Sequence, residues 1–276
     1  MMRDKQYRHR HLIPFQSIRG FTLVEIMVAL GVFAIVAVVA LSMIDNVTQD
    51  SRLAELRVRA NETARDTMML LYQDIQNAGY QIKSSAAELP PIISVVNNPF
   101  APYELEIYCS HRIGRTSAES QKDDKSLAVE DIENYEGMEN SYLIYTFEGE
   151  TQALQITNIS SVIHFSADPL IIGLPSGALI VAVDQIVYTY DDDTGVLTRS
   201  VNGITTHNIS GIESLDVDFT LEDGATVANP TAAQAAQIRY ADCEIGVRLE
   251  RRVPNGRIYN ASASLSQRAA IVSLIK

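Results

Sequence analysis

From Ile26 to Ile44 the chain runs for 19 residues without a charged side chain. Wound as a helix at about 1.5 Å per residue, that run is about 29 Å long, close to the thickness of a bilayer core. The five basic residues Arg3, Lys5, Arg8, Arg10 and Arg19 precede it, and Asp45 and Asp50 follow it. Cationic flanks stay on the cytoplasmic side, so this order retains the first residues inside and exports everything after Ile44. A secretory signal usually has an apolar core of about 7–15 residues ending in a small-residue cleavage site. Ala37-Val38-Val39-Ala40 imitates such a site, but a further apolar stretch, Leu41 to Ile44, follows it directly. The run is therefore expected to be a membrane segment of the mature chain; the other reading is an uncleaved anchor on an unrelated periplasmic protein.

One acid, Glu25, stands at the edge of this run, five residues after Gly20. A carboxylate near hydrocarbon costs on the order of 2–3 kcal/mol or more, which marks it as functional and in need of a cationic partner. The stretch Arg19-Gly20-Phe21-Thr22-Leu23-Val24-Glu25 resembles the prepilin processing signal, Gly-Phe-Thr-Leu-x-Glu followed by an apolar run. The resemblance implies that a prepilin peptidase cuts between Gly20 and Phe21, that the new amino group of Phe21 is methylated, and that Glu25 is the fifth mature residue. It also implies that Glu25 pairs with the terminal ammonium of a neighbouring subunit, two charges that are costly apart in apolar surroundings and much less so together.

Beyond Ile44 the apolar residues Val47, Leu53, Leu56, Ala60, Ala64, Met68, Leu71, Ile75 and Ala78 keep a helical spacing, with no proline between Phe21 and Gly79. A continuous helix from Thr22 to Ala78, roughly 85 Å long, is expected, with Gly79 as its stop. Residues 1–20 read as a leader, 21–45 as a membrane and assembly helix, 46–80 as its amphipathic continuation and 81–276 as a β-rich periplasmic domain. In that domain apolar and polar residues alternate over Leu105 to Cys109, Tyr142 to Phe147, Ala153 to Ile159, Ala178 to Val183, Gln185 to Tyr190, Gly195 to Ser200, Ser214 to Leu221 and Cys243 to Leu249. The fold class is α+β: a pilin-like long helix packed on an antiparallel sheet. Arg115 to Asn140, polar and acidic, reads as a surface loop or insertion, and Thr226 to Gln237 as a loop leading into a short helix.

The net charge is -12, and outside the first 20 residues 17 basic side chains face 33 acidic ones. A body of that sign repels phosphate backbones, so no nucleic-acid partner is expected. Cys109 and Cys243 are the two cysteines, without CxxC spacing. They form either one disulfide, which would contribute roughly 4–5 kcal/mol in the chain-entropy model, or two buried thiols. Motifs for nucleophilic, nucleotide-dependent or metal-dependent catalysis are missing, so an enzyme, a cofactor and a metal are not expected. Asp191-Asp192-Asp193-Thr194-Gly195 invites a calcium reading, but Asn202 stands where an EF-hand loop needs glutamate, which leaves a solvated hairpin turn.

The run Leu71-Tyr72-Gln73-Asp74-Ile75-Gln76-Asn77-Ala78-Gly79-Tyr80 resembles the helix end of PilW-type minor pilins, with Gln76 where arginine is usual. That resemblance implies a low-abundance subunit that joins other minor pilins and the major pilin in priming or capping a type IV pilus from the inner membrane. GspJ-type minor pseudopilins of type II secretion share the processing signal and helix, and a pilus-tip adhesin is the third reading.

Overall fold

The computed structural model describes residues 21–79, 92–96, 102–165, 169–253 and 256–271. Two units divide the chain, residues 1–52 and 53–276. Helix α1, Leu23–Gln76, gives its first part to the one and its remainder to the other.

In the second unit α1 buries Leu56, Ala60, Ala64, Thr67, Met68, Leu71 and Ile75, which line one face of the helix. Thr67 is polar but its hydroxyl donates to the Thr63 carbonyl at 2.7 Å, so nothing is left unpaired by its burial. The expected stop at Gly79 holds: the helix ends at Gln76, and Gly79 takes the left-handed φ of 66° that a side chain would resist. Its N–H donates to Tyr108 O at 2.8 Å, and Ala78 bridges Cys109, so the helix end is stitched to the sheet.

Among the described residues the first sheet has nine strands: β1 (Ile93–Val96), β2 (Tyr103–Arg115), β3 (Ser126–Leu127), β4 (Tyr142–Phe147), β5 (Glu150–Ile159), β6 (Ile163–Phe165), β7 (Leu179–Asp191), β8 (Val196–Val201) and β9 (Ile204–Ser210). Their order is β1-β2-β7-β4-β5-β6-β3, with β8 on β7 and β9 on β8, all antiparallel. Ala178 to Val183 and Gln185 to Tyr190, expected as two segments, are one strand, because β2 pairs along the whole of β7. On its other side β7 pairs with β4 over Ile180 to Val183 and with β8 over Ile186 to Asp191. Asn202 plugs this fork from a left-handed φ of 52°. Its Oδ1 accepts from Gln185 N at 2.9 Å, its N donates to Gln185 O at 2.8 Å, and its Nδ2 donates to Asp184 Oδ1 at 2.7 Å.

The second sheet follows in sequence: β10 (Ile212–Leu221), β11 (Thr226–Val227), then helix α2 (Ala232–Ala235), β12 (Ile238–Arg252) and β13 (Ile258–Ala270), in the order β11-β10-β12-β13. Thr226 to Gln237 carries the expected loop and short helix, started by a Thr231–Gln234 capping box. The inward residues of β10 and β12, among them Leu215, Val217, Phe219, Ile245 and Val247, join α1, β2, β7 and β8 in one core.

Of the two readings of Arg115 to Asn140, surface loop or insertion, the surface loop does not hold. The segment buries Leu127, Val129, Tyr135 and Met138 in a second core with β4, β5, β6 and the start of β7, and is pinned by bridges Thr116 to Val129 and Ser120 to Leu174. A few apolar anchors among many acids suffice, because the acids stay in solvent while backbone pairing closes the segment. The Tyr135 hydroxyl lies against Gly114, where a Cβ would collide with it.

Candidate assembly site at the two ends of the helix

Glu25 is the third residue of α1, and Thr22, whose carbonyl accepts from Ile26 N at 3.2 Å, is its N-cap. The Glu25 carboxylate accepts through Oε2 from Thr22 N at 2.9 Å and from Thr22 Oγ1 at 3.0 Å, while Glu25 N donates to Thr22 Oγ1 at 3.3 Å. This is a capping box, in which the N-cap hydroxyl and the third-position acid satisfy backbone donors reciprocally at a helix start. Sequence reasoning gave Glu25 only an intersubunit partner, although the Thr-x-x-Glu spacing carries this second role. The two uses are compatible, since the box engages Oε2 and leaves Oε1 outside it.

Along the first unit the apolar side chains face outward: Val28 is 61% exposed, Phe33 69% and Leu41 66%. A helix of this length and apolarity can cross a membrane, and surface of that kind has a favourable surrounding only in lipid or against other helices. Phe21 is 82% exposed, immediately before the capping box. Gly20, the residue read as the cleavage point, lies outside the described residues.

The other end of α1 is held by Asp74. Arg199 of β8 donates to it through Nε at 2.7 Å and Nη2 at 3.1 Å, and the Tyr188 hydroxyl of β7 donates to Oδ2 at 2.5 Å. The side chains of Arg199 and Asp74 are 12% and 13% exposed. Arg199 also lies 6.0 Å over the Tyr188 ring and donates from Nη1 to Thr206 Oγ1 at 2.9 Å. Burial raises the Tyr188 pKa, and the charge and hydrogen bond of Asp74 raise it further. For Arg199 burial acts downward, but the hydrogen bond and charge of Asp74 outweigh it and the net shift is up. Asp74 thus fastens helix to sheet through a bidentate ion pair across 125 positions of sequence, a contact no local pattern announces.

Of the two readings left open for Cys109 and Cys243, a disulfide or two buried thiols, the structure has two free, buried thiols. They sit in different sheets: Cys109 in β2, its Sγ donating to Asp74 O at 3.4 Å, and Cys243 in β12 between Val217 and Gln267. Burial pushes both thiols up to about 12, aided by Asp74 and Asp184 at Cys109 and by Asp242 at Cys243. The Asp191, Asp192 and Asp193 carboxylates can come within 4.8 Å of one another at the β7–β8 turn. Asp191 Oδ1 there accepts from the backbone N–H groups of Asp193 at 3.0 Å and Thr194 at 3.3 Å, which is turn chemistry.

The model of the prokaryotic N-terminal methylation motif matches residues 16–41, spanning Gly20, Phe21, the capping box and most of the apolar run. No curated protein and no solved structure matches the chain. The chain therefore carries a type IV prepilin-like N-terminal methylation motif at the head of a long apolar helix, a segment suited to membrane anchoring, to processing by a prepilin peptidase and to association with pilus assembly partners.

Proposed function

We propose that this chain is a minor pilin of a type IV pilus, of PilW type, with a structural and not a catalytic role. In this reading the prepilin peptidase cuts between Gly20 and Phe21 and methylates Phe21. The processed subunit waits in the inner membrane with its β-rich domain in the periplasm, and then joins other minor pilins and the major pilin to prime or cap the filament. The observation that supports it best is the placement of Glu25: a carboxylate fixed by Thr22 at the mouth of an exposed apolar helix, with one oxygen outside the capping box. A neighbouring subunit's terminal ammonium is the partner that offsets its cost near hydrocarbon.

The test is deletion of the gene, followed in one culture by quantifying sheared surface pilin and the exoproteins left in the periplasm. Loss of pili with normal secretion is the expected result. Intact pili with stranded exoproteins would overturn the pilus assignment and move the chain to the GspJ-type pseudopilins, with Gly20, Phe21 and Glu25 in the same roles.

A further inference from the structure

We propose that the outer edge of β13 is a strand-addition site that takes an extended segment of a partner polypeptide in which apolar side chains alternate with Lys or Arg. β13 ends the second sheet, and its pairing with β12 runs without a register shift from Tyr240–Ala270 to Arg252–Ile258. Ile271 N donates to Arg239 O at 3.1 Å in the same register, and on the far side of β12 Arg248 N donates to Gly211 O at 2.8 Å. Antiparallel alternation then turns the backbone N–H and C=O groups of Asn260, Ser262, Ser264, Ser266, Arg268 and Ala270 away from β12. Among the described residues no strand pairs with that edge.

Exposed edges are normally blunted by shortness, proline, lysine, a bulge or a free charge. The opposite edge of this sheet, β11, is two residues long, and the pairing of β9, an edge of the first sheet, with β8 shifts register between Arg199–His207 and Ser200–Thr205. β13 has 13 residues, no proline, no lysine and no shift. Its one charged side chain, Arg268, is occupied: it donates to Asp242 through Nε at 2.7 Å and Nη2 at 2.9 Å.

Two features define what would fit. On the core side, Ile245 and Val247 of β12 are fully buried, yet their β13 partners Leu265 and Ala263 are only partly covered. Beside them runs a groove of about 370 Å³ between Ser264 and Leu265 and the α1 residues Val58, Asn61, Glu62, Ala64 and Arg65, with Val58 55% exposed. Apolar side chains of an added strand would fill it. On the outer side Asp216 faces Glu244, like charges opposed across β10 and β12, whereas Asp242, opposite Asp218, is already paired with Arg268. An added strand lies two strand spacings from β12, about 9.6 Å, within the range of screened attraction. Cations on its outer face relieve that repulsion. The proposal draws on the assembly reading only for the source of the strand, a neighbouring filament subunit; strand capture itself is independent of it.

The experiment uses the full chain in detergent micelles and a fluorescein-labelled synthetic peptide of about ten alternating Val and Lys residues, read by anisotropy. The wild type should bind it at least about tenfold more tightly than the counterpart with Glu for Lys, and Glu244→Gln, which removes an acid on β12, should reduce that difference. Ser264→Pro, which deletes an outward N–H and spares the pairing with β12, should lower affinity by about tenfold with far-UV dichroism unchanged. A peptide N-methylated at alternate residues should lose binding in the same way without any change to the protein. No binding by the wild type, equal binding of the Glu peptide, or equal binding of the N-methylated peptide would each overturn the proposal.

Discussion

Replacing Asp74 by Ala strips three hydrogen bonds from the joint between α1 and the first sheet, two from Arg199 and one from Tyr188. Removing one partner of a buried ion pair costs about 3–5 kcal/mol, because the other charge stays behind in a poor solvent. Arg199 keeps Thr206 Oγ1 and the face of Tyr188, which places the cost at the lower end, about 3 kcal/mol. For a unit of this size that loss lowers Tm by about 6–12 °C. The assay is thermal unfolding of the full chain in detergent, followed by far-UV dichroism, for Asp74→Ala, Arg199→Met and the double variant. A buried pair requires the double variant to lose about 2 kcal/mol less than the two single losses combined. If Asp74→Ala melts within about 1 °C of the wild type, the pair is no more than a surface contact and the reasoning fails.

Asn202→Ala removes the fork plug and leaves an alanine at a φ of 52°, so it should cost about 2–3 kcal/mol, whereas Asn202→Gly, free of backbone strain, should cost about half as much by urea unfolding. The two thiols should resist an aromatic disulfide reagent at pH 8 in the folded chain and react at once in denaturant; native reactivity would refute their burial. Their folded pKa values, raised from 9.0 to about 12, mean that above about pH 9 the unfolded state releases protons that the native state retains. Stability is thus fully present below about pH 9 and falls as pH rises toward about 12, and Cys109→Ala with Cys243→Ala should flatten that slope. Glu25→Ala should leave cleavage largely intact and impair incorporation into filaments; normal piliation would count against the pairing role. Thr22→Val, which breaks the capping box and spares the carboxylate, should destabilise the helix start by about 1 kcal/mol, seen as faster amide exchange over the first turn.

Elements set by local pattern were legible in the sequence. The absence of proline and the three-to-four spacing gave α1, the left-handed freedom of Gly79 gave its end, and alternation gave β4 with the bounds it has. β13 escaped notice because its core-facing positions are Ala261, Ala263, Leu265 and Ala269 among serines, too small for a clear apolar alternation. The fork of β7 was hidden too, since whether Asp184 and Gln185 break a strand depends on β2 crossing behind them. At the candidate site, Gly20, Phe21 and Glu25 could be named from a short contiguous signal. The partners of Asp74 could not, since Tyr188 and Arg199 reach it only after β7 and β8 have paired.

The most direct measurement is the intact mass and N-terminal sequence of the chain expressed with and without a prepilin peptidase. With the peptidase the mature chain should begin at N-methylated Phe21, and without it the leader should remain attached. A mature chain beginning after Ala40, or one whose N-terminus is unchanged by the peptidase, would contradict the account.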